Sequence, residues 1–142
     1  KMHFSFPFIA LHNRASGYCY IGEYQGGNNI EWNSGISWAQ DYIDFLVPFH
    51  QHNSSYILQH NRRSGDTRIG QHQGGNSIHW YESLLWDRDF TDLLAAFEYA
   101  GESYILQHNR ASGDSYVLRY QGGNSFLQYD LLAWRQDYTD FL

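Results

Sequence analysis

Three short polar loops carry residue types that bind neutral, hydroxyl-rich ligands. Glutamine and asparagine amides donate and accept hydrogen bonds in one plane, and paired glycines let backbone N–H groups approach a ligand closely. The loops recur at a spacing of 48 residues: Gln25, Gly26, Gly27 and Asn28; Gln73, Gly74, Gly75 and Asn76; Gln121, Gly122, Gly123 and Asn124. The pattern predicts a sugar-binding loop in each copy. The alternative is a hairpin turn whose glycines supply positive φ.

Rings and carboxylates accompany the loops at the same spacing. Rings offer a platform for the apolar face of a sugar, and carboxylates accept hydrogen bonds from its hydroxyls. The residues before the loops are Tyr24, His72 and Tyr120, and those after them are Trp32, Trp80 and Gln128. Three acids follow: Asp41, Asp89 and Asp137. We predict that these rings and acids contribute to ligand binding, while a turn or ion-pair role for the three acids stays equally open.

The loops belong to a repeat that fills the chain. His12-Asn13-Arg14 and Ser16-Gly17 also return after 48 and 96 residues, with no insertion. A repeat of this length is one supersecondary unit that buries its apolar face against its copies. We therefore predict one domain over 1–142, with repeats at about 1–48, 49–96 and 97–142.

Each repeat predicts about four short strands. In the third repeat, β-branched and aromatic runs at 104–107, 116–120, 126–129 and 138–142 alternate with Gly- and Asn-rich turns. A single helical turn is possible at 84–86 and 131–134. Three such units are too few for an ordinary propeller and lack the periodicity of helical solenoids. The prediction is an all-β, closed, pseudo-threefold β-trefoil, with Phe4, Phe6 and Phe8 completing the ring.

A family resemblance rests on two glycine turns in each repeat. Ala15-Ser16-Gly17 with Gly26-Gly27, and Ala111-Ser112-Gly113 with Gly122-Gly123, resemble the Ala-Ser-Gly turn and Gly-Gly loop of the galactose-binding β-trefoil lectins of mussels. The second repeat has Arg63-Ser64-Gly65 instead. The His-Pro before the Gly-Gly and the His-x-Asp-x-His segment of those lectins are missing here, as is the Gln-x-Trp motif of ricin-type lectins. The resemblance implies a lectin with ligands of the galactose or N-acetylgalactosamine type.

Other repeated residues favour structural roles. His12, His60 and His108 lack paired metal ligands, so we expect their imidazoles to cap the turn that Asn13 and Ser16 make. A ligand-binding role for these histidines stays open. Three tryptophans are expected in the core: Trp38, Trp86 and Trp134. Three arginines offer ion pairs between repeats: Arg14, Arg62 and Arg110. Asp44, Asp92 and Asp140 are expected to point outward from the fourth strand.

The composition of the chain limits the classes of partner that it is expected to bind. The net charge of −6 argues against nucleic acid and anionic membrane surfaces. No apolar stretch is long enough to span a bilayer, and Cys19 is the sole cysteine, expected to be buried and inert. We expect a soluble protein, either a secreted mature form or cytoplasmic, with no cofactor or metal; a dimer is possible.

The predicted function is multivalent carbohydrate binding, as in an agglutinin whose partners are glycans or glycoconjugates. An enzyme is not predicted, because the same polar set occurs three times without a nucleophile or metal motif. The alternative is a protein-interaction trefoil of the actin-bundling or inhibitor kind. Differences between repeats predict unequal sites, for example at Glu31, His79 and Leu127.

Overall fold

The described part of the molecule is built from antiparallel strands in three sheets. The computed structural model describes residues 8–13, 15–37, 45–86, 93–109 and 111–133. The first sheet contains β1 (Phe8–His12), β2 (Tyr18–Gly26), β3 (Asn29–Trp32) and β4 (Ile36–Ser37). Its order is β1-β2-β3, and β4 pairs with the start of β2. Among the described residues, no helix is long and apolar enough to cross a membrane.

The second and third sheets have one topology, displaced by 48 residues. The second contains β5 (Phe45–Gln51), β6 (Ser54–His60), β7 (Asp66–His72), β8 (Ile78–Trp80) and β9 (Leu84–Leu85). The third contains β10 (Leu93–Tyr99), β11 (Glu102–His108), β12 (Asp114–Gly122), β13 (Ser125–Gln128) and β14 (Leu132–Ala133). Each is a four-strand meander, with the two-residue β9 or β14 paired to the start of its third strand.

The all-β prediction is therefore confirmed, with one correction. The helical turns that the sequence allowed at 84–86 and 131–134 are not found in the described residues, where β9 occupies 84–85 and β14 occupies 132–133 as short strands. The pairing also crosses the sequence repeats, since β5 and β10 form hairpins with the first strands of the following repeats. β5 runs on through Phe49 and β10 through Phe97, so both strands cross the predicted repeat boundaries.

The hairpin turns that join successive repeats differ in sequence but share positive φ. His52 and Asn53 have φ of 46° and 66°, and Ala100 and Gly101 have φ of 51° and 79°. Mirror-image turns of this sort match the right-handed twist of paired strands. No shared motif marks these turns, so the first hairpin of the second and third sheets has no repeated turn signal in the sequence.

The turn after the first strand is held by side chains common to all repeats. Asn13 Oδ1 accepts the N–H groups of Ala15 and Ser16 at 2.9 and 3.1 Å, and Ser16 Oγ accepts the N–H of Tyr18 at 3.1 Å. Asn61 with Ser64, and Asn109 with Ser112, form the same bonds in the other repeats. The predicted Asn and Ser turn is thus confirmed in each repeat.

A cluster of buried hydrophobic residues lies between the second and third sheets. Phe49 stacks on Tyr56 with ring centroids 5.2 Å apart, and Tyr120 meets both rings at 5.0 Å. The buried members are Val47, Phe49, Tyr56, Leu58, Ile69, Ile105, Leu118 and Tyr120. Trp86 packs against this cluster, as expected for a core tryptophan, and its ring lies 5.5 Å from that of Phe126.

Successive repeats touch through equivalent positions. Tyr56 of the second repeat contacts Tyr120 of the third, and Phe8 of the first stacks on His72 of the second at 4.9 Å. Phe8 precedes Tyr56 by 48 residues, and His72 precedes Tyr120 by the same number. Rings at equivalent positions therefore meet at both junctions, stacked in the first and edge to face in the second.

Polar contacts reinforce the second of these junctions. The buried Gln51 accepts the N–H of Ser103 at 2.7 Å, and its amide donates to the Glu102 carboxylate. His52 Nε2 lies 3.3 Å from the same carboxylate. The hydrogen bond from Gln51 and the charge of His52 lower the pKa of Glu102, so this acid stays ionised where the two sheets meet.

Candidate functional site

The three Gln-Gly-Gly-Asn segments are the tips of equivalent hairpins. They join β2 to β3, β7 to β8 and β12 to β13. The first glycines, Gly26, Gly74 and Gly122, have φ of 106°, 104° and 100°, and the second glycines have φ of 55°, 53° and 57°. Residues that carry a side chain rarely adopt these backbone angles, so the turn itself requires glycine at both positions of each loop.

The ring before each loop closes the turn from inside. Tyr24 and Tyr120 donate their hydroxyl protons to the carbonyls of Gly27 and Gly123 at 2.9 and 2.8 Å. His72 Nε2–H donates to the carbonyl of Gly75 at 2.9 Å. This bond fixes the proton on Nε2 in the neutral ring. The polar tip of each ring is therefore engaged with its own loop.

The three rings that hydrogen-bond to the loops differ in burial; we call these ring-to-loop bonds braces. Tyr120 is 1% exposed and Tyr24 is 39% exposed, because Phe49 and Tyr56 cover Tyr120. Burial raises the pKa of Tyr120, which keeps its hydroxyl protonated and able to donate. The ring of Tyr120 thus packs in the interior, and the backbone and amides are the accessible part of the third loop.

The first glycine of every loop faces open space. A Cβ placed on Gly26, Gly74 or Gly122 would meet no atom within 4 Å. The preceding glutamines are exposed in all three repeats: Gln25, Gln73 and Gln121. Each tip therefore presents an accessible backbone beside an amide on a turn with fixed geometry.

The loop asparagines have different surroundings. Asn28 is exposed, whereas Asn124 Nδ2 donates to the carbonyl of Glu82, in the preceding repeat, at 3.1 Å. Asn76 Oδ1 is buried and has no hydrogen-bond partner among the described residues. The second glycines also approach the preceding repeat: the Cβ positions of Gly75 and Gly123 lie 3.7 Å from Asn33 Oδ1 and Tyr81 Cδ1, respectively. Two of the loops thus sit beside neighbouring repeats.

The predicted tryptophan platforms rest on glycines that the sequence reasoning missed. Trp32 pairs with Gly22, and Trp80 pairs with Gly70 across the strands. A Cβ on Gly22 would lie 2.6 Å from the Trp32 ring, and one on Gly70 would lie 2.7 Å from the Trp80 ring. The useful signal was a glycine inside a strand, which marks a close approach by a neighbour.

The platforms differ between repeats. Trp32 is 43% exposed, while Arg68 lies over the Trp80 ring with its guanidinium carbon 4.7 Å from the ring centroid. In the third repeat, Leu118 pairs with Gln128 at the equivalent positions. A large side chain on one strand has replaced the large side chain on the other, so the third repeat has no indole here.

The repeated histidines are structural, but not as turn caps. His60 Nδ1 lies 2.7 Å from Thr67 Oγ1, and His108 Nδ1 lies 2.7 Å from Ser115 Oγ. These pairs sit side by side on adjacent strands, and both imidazoles are almost fully buried. The prediction that the imidazoles cap the turn is therefore wrong for these two residues. Within the described ranges, no group of His, Cys, Asp and Glu could hold a metal ion.

In the first repeat, the same strand position holds a thiol. Cys19 pairs with His12 in the register that Thr67 and Ser115 take with their histidines. Cys19 is fully buried, and burial raises its pKa to about 11. The prediction of a buried thiol is confirmed.

Several predicted residues lie outside the described residues. They are the ligand candidates Asp41, Asp89 and Asp137, together with Arg14, Arg110, Trp38, Trp134, Asp44, Asp92 and Asp140. Phe4 and Phe6, proposed to complete the ring, also lie outside. No protein-family model matches the chain, and no curated protein matches it significantly.

Proposed function

We propose that this chain is a carbohydrate-binding protein with a glycan site at each Gln-Gly-Gly-Asn loop. The observation that carries the proposal is the shared design of the loop tips. Each has a first glycine facing open space, an exposed glutamine and a ring that fixes the turn from inside. Rigid, uncharged hydrogen-bonding groups suit a neutral ligand with several hydroxyls, because little order is lost on binding.

The finer fold that we propose is the closed β-trefoil. The repeated junctions support it, because Phe8 meets His72 as Tyr56 meets Tyr120. If the equivalent positions also met at a third junction, Tyr104 would contact Tyr24, whose ring is 39% exposed in this structure. Closure would bury aromatic surface that is otherwise exposed to water and would set the three loops on one rigid body.

Three sites on one body would bind multivalent surfaces more strongly than any single loop binds a free sugar. The sites would be unequal, because only Asn28 is an exposed loop asparagine and Asn124 is already bonded to Glu82. Ligands of the galactose or N-acetylgalactosamine type are the first candidates. The second loop has an additional buried oxygen, Asn76 Oδ1, that a ligand hydroxyl or water would satisfy.

The test is a glycan array with the full chain and with Ala at Asn28, Asn76 and Asn124, singly and together. Each loss should be on the order of 1–3 kcal/mol at its own site, the cost of leaving a partner group unpaired. The triple variant should no longer agglutinate cells that bear the ligand. Asn29→Ala, at an exposed asparagine next to the motif, is the matched control and should bind normally.

Melting temperatures separate binding from folding in this test. Asn28→Ala should melt like the parent, whereas Asn124→Ala should melt slightly lower because it loses its bond to Glu82. Full glycan binding by a folded triple variant would contradict the loop sites. A blank array with the folded parent would instead favour the protein-interaction alternative.

A further inference from the structure

The first repeat carries an open groove that lies away from its Gly-Gly loop. The groove has a volume of about 700 Å³ and is lined by Leu11, His12, Asn13, Ser16, Tyr18 and Tyr20. Tyr18 begins β2, and Gly26 ends it. Eight residues of extended strand separate them, about 27 Å at 3.4 Å per residue, so a small ligand cannot occupy both places.

Two tyrosines form a corner in this groove. Tyr18 and Tyr20 are 41% and 44% exposed, and their rings meet edge to face with centroids 5.2 Å apart. They lie on one face of β2 because side chains two apart point the same way. Gly35 lies under Tyr18: a Cβ there would be 2.3 Å from the ring. The ring of Tyr18 therefore packs against the backbone at Gly35 and keeps part of its surface accessible.

The polar groups of the corner differ in whether they already make hydrogen bonds. Asn13 Oδ1 and Ser16 Oγ already accept backbone N–H groups of the turn. Among the described residues, neither the Tyr18 nor the Tyr20 hydroxyl has a hydrogen-bond partner. The corner thus offers a ring face together with phenol groups that can donate and accept.

The described lining of the groove contains no Asp, Glu, Lys or Arg, whereas the positions of Tyr18 and Tyr20 include charged residues in the other repeats. Asp66 and Arg68 replace Tyr18 and Tyr20 in the second repeat, and Asp114 and Tyr116 replace them in the third. All four replacing side chains are partly exposed. Positions 18 and 20 therefore belong to the surface of a repeat, and the tyrosine corner is confined to the first.

We infer that this corner is a separate binding site for a neutral pyranose sugar. The apolar C–H face of the sugar would lie on one tyrosine ring, and its hydroxyls would bond to the phenols. An ionic ligand would find no counter-charge in the lining, and the net charge of −6 further disfavours anions. The site does not depend on the Gln-Gly-Gly-Asn loops.

The test is saturation-transfer NMR on the full chain. The probes are the methyl glycosides of galactose, N-acetylgalactosamine, glucose, mannose and N-acetylglucosamine. We expect at least one to receive saturation, and the Tyr18→Asp/Tyr20→Arg variant to weaken that binding by about tenfold or more. Both new residues are those of the second repeat, so the turn should accept them. Tyr99→Asp, at a tyrosine 70% exposed outside the groove, is the control and should bind like the parent.

A second measurement covers the case in which the double variant fails to fold. In the parent labelled with 13C-tyrosine, the resonances of Tyr18 and Tyr20, assigned with Tyr18→Phe and Tyr20→Phe, should shift on titration with the bound glycoside. Absence of binding by every glycoside, or unshifted resonances for both tyrosines, would overturn the inference.

The two sets of variants distinguish the groove from the loops. If the triple asparagine variant loses all glycoside binding and the folded tyrosine variant loses none, the groove site is wrong and the loop sites stand. If the tyrosine variant loses binding and the asparagine variant keeps it, the groove site stands and the loop sites are wrong. Partial loss in both supports two kinds of site.

Discussion

The indole of Trp80 lies on the bare backbone of Gly70, its partner across β7 and β8. A Cβ at Gly70 would come within 2.6 Å of Ile78 and 2.7 Å of the indole. Leu118 and Gln128 occupy the equivalent positions in the third repeat. The side chain that fills the space between the strands belongs to one strand in the second repeat and to the other strand in the third. The two positions therefore share one space.

This relationship predicts the outcome of a double-mutant cycle. Gly70→Leu alone should destabilise the fold by about 1–3 kcal/mol, because the new side chain overlaps the indole. Adding Trp80→Gln reproduces the pair in the third repeat and should recover much of that loss. Urea unfolding of the parent, both single variants and the double variant gives the coupling energy. Additive effects would mean that the two residues do not share one space.

A second prediction compares two tyrosines that make the same hydrogen bond. Tyr120→Ala should cost about 3–5 kcal/mol, because its buried ring packs edge on against both Phe49 and Tyr56. Tyr24→Ala should cost less, because that ring is 39% exposed.

Phenylalanine at the same positions serves as the control. Tyr24→Phe and Tyr120→Phe keep the ring and remove only the bond to the glycine carbonyl, so they isolate the contribution of the brace. Thermal melts of all four variants provide the comparison. Equal losses for the two alanine variants would contradict the difference in burial, and would instead indicate that Tyr24 is covered in solution.

The third prediction concerns Cys19 and alkaline pH. Burial raises the pKa of the folded thiol from about 9 to about 11. Below pH 9 the thiol is protonated in both states, and its contribution to stability is fully present. Between pH 9 and 11 the unfolded chain loses the proton more readily, so stability should fall as pH rises.

The variant Cys19→Ser is the control for this fall in stability with rising pH. Serine is the residue of the third repeat at this position, where it pairs with His108, so the variant should fold normally. Its urea midpoint should fall less between pH 9 and 11 than that of the parent. At neutral pH, thiol labelling of the parent should require unfolding. Rapid labelling of the native chain would show that the thiol is accessible.

The sequence predicted the repeated features well because they have strong local signals. The 48-residue register reappears as two sheets that begin at Phe45 and Leu93. The asparagine and serine of the first turn, and the positive φ of the Gly-Gly loops, follow from the backbone demands of short turns. Such features depend on neighbours along the chain, which a sequence displays directly.

Other features depend on partners distant in the chain and were missed. The burial of Tyr120 under Phe49 depends on how the repeats face one another. The hydroxyl partners of His60 and His108 lie seven residues away, across a turn. The junction turns at 52–53 and 100–101 share no motif, so the strands they join could not be placed in one sheet from sequence alone.

The sheets of this chain are out of phase with the repeat boundaries predicted from the sequence. A segment cut at the sequence boundary, such as 49–96, would sever β5 after its first residues and carry away only part of β10. A segment cut from 45 to 92 would keep one complete sheet together. With boundaries at 48 and 96, the second and third sheets each take most of their first strand from the preceding repeat. Divergence of one copy is consequently constrained by the residues of the next.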